Sequence, residues 1–463
     1  MLLNDAKLDE FATRLRGPLL RPGDEAYEDA RRLWNGQIDK RPAAILRASG
    51  AADVMDGVRF AREMDLPLSI KGNGHNIAGL ALADGALTLD LSHLKGVVID
   101  PAAGIARVQP GCNWGDVDRE GQAFGLTVPG GVVSTTGVAG LTLGGGFGWA
   151  TRKFGLTSDN LLSADVVNAE GTLLKASPDE NADLFWALSG GGGNFGVVTS
   201  FEFALRPIGP RVTAGLILYP LADGREVLEL FRRVTADADD ELSCLLILRK
   251  APPAPFLPVE VHGTPVAGIA VCHIGSLEAG ARAVAPIKSF GAPIADTIGP
   301  TPFAAHQTML DAGNPYGRRY YWKSGYFDGL RDEMIDTVLD HAATVTSPHS
   351  VILMFHLGGA AARLPGDHSA AGNRSAAFVF NIAASWEAPP DDGHVAWARA
   401  FWRDMQPHAN GGVYVNFLNR DDPAARVKAA YGAPLHRRLA RVKATYDPEN
   451  VFRINQNIEP ATA

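Results

Sequence analysis

Apolar and polar residues alternate, or recur with helical spacing, in short blocks through the first two hundred positions. Residues 53–64 (DVMDGVRFAREM), after a Ser49-Gly50 break, read as an amphipathic helix. Leu68-Ser69-Ile70 is a short strand that runs into the loop Lys71-Gly72-Asn73-Gly74-His75-Asn76. Strand patterns return at 87–91, 97–100 and 105–108, and 114–124 reads as a helix. Residues 164–168 and 172–175 flank Ala169-Glu170-Gly171, a hairpin signal. A further strand at 195–205 ends at Arg206-Pro207.

From about 211 the texture changes. Strands at 216–219, 244–249 and 269–273 alternate with helices near 224–236, 279–289 and 328–345, the pattern of an antiparallel sheet covered by helices. The helix around Phe401 and Trp402 reads as packing. Gly411-Gly412 then leads into an expected strand at 413–418, and a basic helix at 436–445 is stopped by Asp447-Pro448. No internal repeat or low-complexity segment interrupts this order.

Length and charge narrow the class. At roughly 150 residues per domain, 463 residues suggest two to three domains. The net charge is 43 − 51 = −8, and no basic run exceeds pairs such as Arg437-Arg438, which argues against a general nucleic-acid binder. Three scattered cysteines (Cys112, Cys244, Cys272) exclude a disulfide scaffold, with Cys112 read as a small buried hydrophobe. No histidine pair stands at a metal-ligand spacing beside carboxylates, so no metal is expected. No apolar run reaches the ~18 residues of a membrane span, and the charged start MLLNDAKLDEFATRLRG lacks a secretory pattern. The expectation is a cytoplasmic metabolic protein, a monomer or homodimer with no membrane or nucleic-acid partner. In that compartment the sequon Asn373-Arg374-Ser375 stays silent. Neither a GxxxxGK[ST] loop, an HExxH pair nor a GxSxG elbow occurs, and Gly144-Gly145-Gly146-Phe147-Gly148 misses the dinucleotide-fold spacing.

Glycine supplies the positive clue. It accounts for 51 of the 463 residues, with eight in the 19 positions of 130–148 and five in the seven of 190–196. These glycines alternate with Val138, Leu141, Leu143, Phe147, Phe195 and Val197. Such a pattern serves either tight turns in a compact domain or close approach of backbone to a flat ligand.

Several segments together resemble a known family. Ile70 to Asn76 resembles the pyrophosphate loop of the vanillyl-alcohol-oxidase-type flavin fold. Pro129-Gly130-Gly131, GVAGLTLGGGFG at 137–148, FGLTSDNL at 154–161, DLFWA at 183–187 and GGGGNFGVVT at 190–199 follow in the family's order. YDPENVFR at 446–453 with NQNI at 455–458 resembles the closing segment of berberine-bridge-enzyme-like oxidoreductases. The likeness is strong over 40–210 and 411–460, while 211–410 agrees only in texture.

The resemblance implies an α+β protein. A PCMH-type two-lobed FAD-binding domain (1–210) is joined to an antiparallel-sheet substrate domain covered by helices (211–410), and 411–463 returns to the FAD domain. It further implies FAD contacts from Lys71, Gly72, Asn73, Gly74, His75, Asn76 and Gly79. Others come from Pro129, Gly130, Gly131, Gly137, Gly140, Leu141, Gly144, Gly145, Gly146 and Gly148, and from Val197, Tyr414, Asn416 and Asn455. Consecutive N–H groups at 71–76 can form a nest for the pyrophosphate, aided by Lys71 and Asn73. Glycines 144–146 would let main chain lie against the flavin ring. In the family the histidine of this loop bonds the flavin 8α-methyl, so His75 is the expected covalent link; taken alone, it reads as a loop histidine that only hydrogen-bonds phosphate.

Two departures matter. Ser158 stands where many members have the cysteine of a second flavin bond, and its hydroxyl is too weak an acid to replace a thiolate, so a single link is expected, as in the 6-hydroxynicotine-oxidase-like subgroup. Tyr414-Val415-Asn416-Phe417 ends in Phe where relatives carry a basic Tyr. Tyr414, Tyr321, Tyr326 and His356 are then the candidates for the catalytic base, each equally readable as a core or rim side chain. The implied activity is an FAD-dependent oxidase that takes hydride from a small ring-containing secondary metabolite and returns electrons to O2. Carbohydrate oxidase, oxygenating flavoenzyme and catalytically silent flavin protein are its alternatives.

Overall fold

The computed structural model describes residues 5–462. Three large sheets carry the fold, beside a two-stranded pair of Leu126–Thr127 with Arg206–Pro207. The first has the order Leu19–Leu20, Ala44–Arg47, Leu87–Asp90, Leu68–Lys71. Leu87–Asp90 runs parallel to both neighbours, with Leu89 opposite Leu46 and Ile70. Helix Ala51–Glu63 makes the crossover that parallel pairing requires. Gly57 lets it lie flat on the sheet, because a Cβ there would sit 2.5 Å from Leu89.

The second sheet is antiparallel, in the order Val97–Asp100, Ile105–Val108, Val197–Ala204, Leu161–Val167, Leu173–Ala176. The last two strands form the hairpin expected around 169–171. Helix Trp114–Gln122 starts with a capping box, Asn113 accepting from the Asp116 amide and Asp116 from the Asn113 amide. The basic C-terminal helix Ala433–Tyr446 packs Leu439 and Val442 into the same core.

The third sheet has eight antiparallel strands. Its order is Ala295–Asp296, Arg211–Pro220, Pro265–His273, Leu242–Lys250, Val351–His356, Phe378–Trp386, Arg319–Phe327, with Gly299–Pro302 also on Arg211–Pro220. Helices Gly224–Asp237, Leu277–Lys288, Asp332–Ala343 and Asp392–Met405 bury one face. The other face turns toward the two lobes. Among the described residues no helix is long and apolar enough to cross a membrane.

Polar groups buried at the seams hold these units together. Arg152 donates to the carbonyls of Leu242, Ala238, Asp239 and Leu357. Asp118, wholly buried on helix Trp114–Gln122, accepts from Gln307 Nε2 at 2.9 Å, and Gln307 also reaches the Gly131 carbonyl at 3.1 Å. Burial pushes the Asp118 carboxyl up to about 7, outweighing its neutral donors. Between its ordinary value of 3.8 and about 7 the folded protein keeps a proton that the unfolded chain releases. The group's contribution to stability is therefore largest at low pH and declines as pH rises through that window. Asp118→Asn removes this slope: from pH 5 to pH 8 the variant gains on the wild type by on the order of 2 kcal/mol in denaturant unfolding.

Candidate active site

A cavity of about 310 Å³ runs between the lobes and under the third sheet. Its walls are the loop 72–76, the glycine segment 131–143, residues 192–198, the C-terminal stretch 454–456, and side chains of the third sheet. Its titratable lining side chains are His75 and Tyr414; no carboxylate, ammonium, guanidinium or thiol lines it among the described residues.

Some of its glycines serve the groove and others serve packing. Gly140 and Gly193 line the cavity, and a Cβ on either meets no protein atom within 4 Å, so the backbone there leaves the space at the groove wall open. Gly72, Gly74, Gly131, Gly137, Leu141 and Val197 line it as well, with Asn73, Asn76, Asn416 and Asn455. Gly144, Gly145 and Gly146 instead wall a smaller adjoining pocket. A Cβ on Gly144 would fall 2.3 Å from the Asn416 amide, and one on Gly146 would fall 2.4 Å from Leu141 and Thr157. At Gly144 and Gly146 the missing side chain lets protein pack on protein. Gly130 and Gly148 pack against Trp114 and the Gly130 carbonyl, and with Pro129 and Gly79 they stay outside the cavity. Lys71 also points away: its ammonium turns into the first lobe, 2.7 Å from the Ala30 carbonyl and 3.4 Å from Asp90. An anion in the groove therefore finds backbone N–H groups rather than a lysine.

His75 stands at the loop end of the cavity. Its ring centroid lies 5.3 Å from that of Trp34, nearly parallel, and 5.0 Å from that of Tyr316, edge to face. Tyr316, in the turn before Arg319–Phe327, donates to the Asn73 carbonyl at 2.6 Å, and Trp34, beside the His75 ring, stacks on Tyr320 of that strand at 3.7 Å. Burial lowers the imidazole to about 4 despite a hydrogen bond to the Thr135 carbonyl. The ring is neutral at pH 7, and Nε2 has no partner.

At the other end, aromatic rings meet edge to face. Phe147 contacts Phe355 at 5.2 Å and Tyr414 at 4.9 Å, while Trp322 meets Phe417 at 5.2 Å. The strand expected at 413–418 is a 3-10 turn, Val415–Phe417. Residues three apart eclipse in such a turn, so Tyr414 and Phe417 meet at 5.0 Å and both line the cavity. Asn416 donates to the Gly140 carbonyl at 3.1 Å and to the Tyr414 hydroxyl at 2.9 Å. Burial drives the Tyr414 phenol far above its ordinary value, although Asn416 and the Gly146 amide donate to it.

The other expected bases do not reach this space. Tyr321 lies on the helix-covered face of its strand, donating to Asp421 at 2.6 Å and accepting from Arg399 at 2.9 Å. His356 lies outside the lining, its Nε2 accepting from Arg152 at 3.0 Å, and burial with that guanidinium holds it near 3. Tyr326 borders only the smaller pocket. Side-chain parity along the strands decides this: Trp322 faces the cavity where Tyr321 faces the helices, and Phe355 where His356 does not. Ser158 is buried, with no partner for its hydroxyl.

The matches to known proteins agree with this geometry. Residues 42–177 match the FAD binding domain model, and 413–459 match the model for berberine and berberine-like proteins. An FAD-linked oxidoreductase of Dictyostelium discoideum is 31% identical over 98% of this chain and 97% of its own. The chain belongs to the berberine-bridge-like family of FAD-linked oxidoreductases. It is also similar to (R)-6-hydroxynicotine oxidase of Paenarthrobacter nicotinovorans, at 30% identity over 96% of this chain and 97% of that one. The crystal structure of 6-hydroxy-D-nicotine oxidase from Arthrobacter nicotinovorans superposes with a TM-score of 0.86 at 28% identity, covering 96% of this chain and 98% of that one.

The family's cofactor fits these walls. The uncharged, glycine-sided groove leaves space where Cβ atoms would stand, and an orphaned imidazole nitrogen marks one end. Lys443, wholly buried, stiffens the far wall: its ammonium reaches Asp447 at 2.6 Å and the carbonyls of Asn194 and Phe452 at 2.7 and 2.9 Å. Lining residues that sequence reasoning did not assign include Trp322, Leu353, Phe355, Asn381, Gly193 and Asn194. The run GGGGNFG held a signal for the last two, whereas the strand residues carried none beyond their aromatic and branched character.

Proposed function

We propose that this enzyme is an oxidase with FAD carried covalently on His75, acting on a small, uncharged, ring-containing compound of the alkaloid, phenol or polyketide type. The observation that carries the reading is the cavity lining, which pairs a cluster of aromatic rings with no ionised side chain. A charged substrate would lose its hydration there without a partner, which is costly, while a neutral ring gains apolar and edge-to-face contact.

Bound FAD supplies a two-electron acceptor, with O2 as the final oxidant. His75 would hold it through the free Nε2, the neutral ring being the form able to act as a nucleophile. With Ser158 buried and a poor nucleophile, one link is the whole attachment. The groove glycines and the N–H groups of the loop 72–76 would receive the rest. Tyr414, raised far above neutrality by burial, keeps its proton and offers a hydrogen bond rather than a base. The substrate must therefore arrive with its own nitrogen or oxygen lone pair free, and Trp322, Phe355 and Phe417 would orient its ring. In this reading 1–210 and 411–463 hold the cofactor and 211–410 covers the substrate, in a cytoplasmic monomer or homodimer.

Mixing the protein with candidate compounds under anaerobic conditions tests the reading. Neutral heterocyclic amines or phenols are expected to bleach the flavin absorbance, and admitting air restores it. Bleaching by oligosaccharides alone would replace this reading with a carbohydrate oxidase, and bleaching by nothing would leave a silent flavin protein.

A further inference from the structure

A second polar cluster lies away from the cavity, where the third sheet meets the glycine-rich lobe. In the antiparallel register Leu242 pairs with His273, so the turn before Leu242–Lys250 brings Asp239 and Glu241 beside the end of Pro265–His273. His273 is wholly buried, and neither of its ring nitrogens has a partner. Its Nε2 faces Asp239 Oδ2 at 3.9 Å and Glu241 Oε2 at 3.7 Å. One ligand atom from each residue falls within 4.8 Å of the others.

Each carboxylate is fixed through its other oxygen. Asp239 Oδ1 accepts from the amides of Glu241 and Leu242, both at 3.0 Å. Glu241 Oε1 accepts from Lys153 at 2.7 Å, and that ammonium also reaches the Ile274 carbonyl at 2.6 Å. Oδ2 and Oε2 are thus left aimed at the imidazole, the outer-shell anchoring that orients metal ligands. Gly275 leaves room for them, because a Cβ there would fall 2.4 Å from Glu241 Oε2 and 2.6 Å from the His273 ring. The remaining nearby charges are engaged elsewhere: Arg152 donates to main-chain carbonyls, and Arg363 pairs with Asp240.

We propose that His273 Nε2, Asp239 Oδ2 and Glu241 Oε2 bind one divalent transition-metal ion of the Zn2+ type, with water completing the shell. One imidazole and two carboxylates suit Zn2+ or Co2+ better than Ca2+, which takes six to eight oxygens. Ligands ~2.1 Å from a tetrahedral ion stand about 3.4 Å apart, so the side chains close by only a few tenths of an ångström along the two measured edges. Sequence spacing hid this set, since its histidine lies 32 positions beyond Glu241. None of the three residues lines the cavity. The ion's role is therefore structural: through Lys153 and Arg152 it secures the turn 238–242 to residues 151–154 of the glycine-rich lobe.

The test uses holoprotein stripped with EDTA and titrated with Zn2+ by calorimetry and with Co2+ by visible absorption. The proposal expects one ion per chain, micromolar or tighter, Co2+ bands of a low-coordinate nitrogen–oxygen site, and a higher melting temperature with metal. Asp239→Asn keeps the Oδ1 acceptor on an exposed side chain, so it folds, and it weakens binding about tenfold or more. His273→Gln abolishes the Co2+ bands. No binding below about millimolar metal, or equal affinity in Asp239→Asn, would overturn the site. Flavin content is unchanged in every arm, which separates this result from the fate of the flavin reading.

Discussion

Gly140→Leu protein purifies folded and nearly colourless. Gly140 sits in the short helix Val138–Leu143, where leucine is a favourable residue, and its Cβ meets no protein atom. Gly140 lines the groove, so the new side chain stands at its wall, while the Gly140 carbonyl keeps its bond from Asn416. Flavin content is expected to fall to a tenth of wild type or less, with the melting temperature of flavin-free protein nearly unchanged. Gly146→Leu is the contrast: its φ is +76° and its Cβ would strike Leu141 and Thr157, so that variant loses the fold along with the flavin. Full flavin content in Gly140→Leu would mean that the cofactor lies elsewhere.

His75→Ala separates holding from linking. Acid precipitation of the wild type is expected to leave flavin in the washed pellet, on the peptide containing His75. The variant binds flavin in the same groove but releases all of it to the supernatant. Losing the electron-withdrawing 8α substituent also lowers the flavin potential, and each ~30 mV is tenfold in the equilibrium of a two-electron couple. Substrate reduction of the flavin should therefore slow by about tenfold or more. The lowered basicity of His75 adds a pH signature: incorporation of flavin into apoprotein is flat from pH 6 to 8 and falls only as the ring takes up a proton near pH 4. Flavin retained in the His75→Ala pellet would place the link on another residue.

How far the sequence reached depends on which faces are buried. Most strands of the two lobes and the helix Ala51–Glu63 were legible because turn signals bound them and polar residues recur along them, whereas Ala44–Arg47, with three apolar residues in a row, went unread. Phe378–Trp386 buries all nine of its residues, so no alternation marks it, and neither Arg319–Phe327 nor Val351–His356 stood out for the same reason. The loop 72–76 and its histidine were readable as a motif. The inward turn of Lys71 was not, because it depends on Ala30 and Asp90 from distant segments. Tyr321 and His356 were chosen by chemistry, yet a one-residue parity on each strand puts Trp322 and Phe355 at the cavity instead. Likewise, alternation around Asn416 suggested a strand, whereas the 3-10 turn brings Tyr414 and Phe417 to the same wall.

On the proposed reading the cavity accepts a neutral substrate and offers it no base. The most direct test of that reading is the pH dependence of anaerobic flavin reduction by a ring amine that reduces the flavin, followed by stopped-flow absorbance. With Tyr414 protonated throughout and no carboxylate in the lining, the second-order rate constant should rise about tenfold per pH unit below the amine's own pKa and level off above it. The inflection should move with the amine when a less basic analogue is used. An inflection fixed between pH 5 and 8 whatever the amine, or faster reduction by the ammonium form, would reveal an ionised protein group in the cavity and contradict the account.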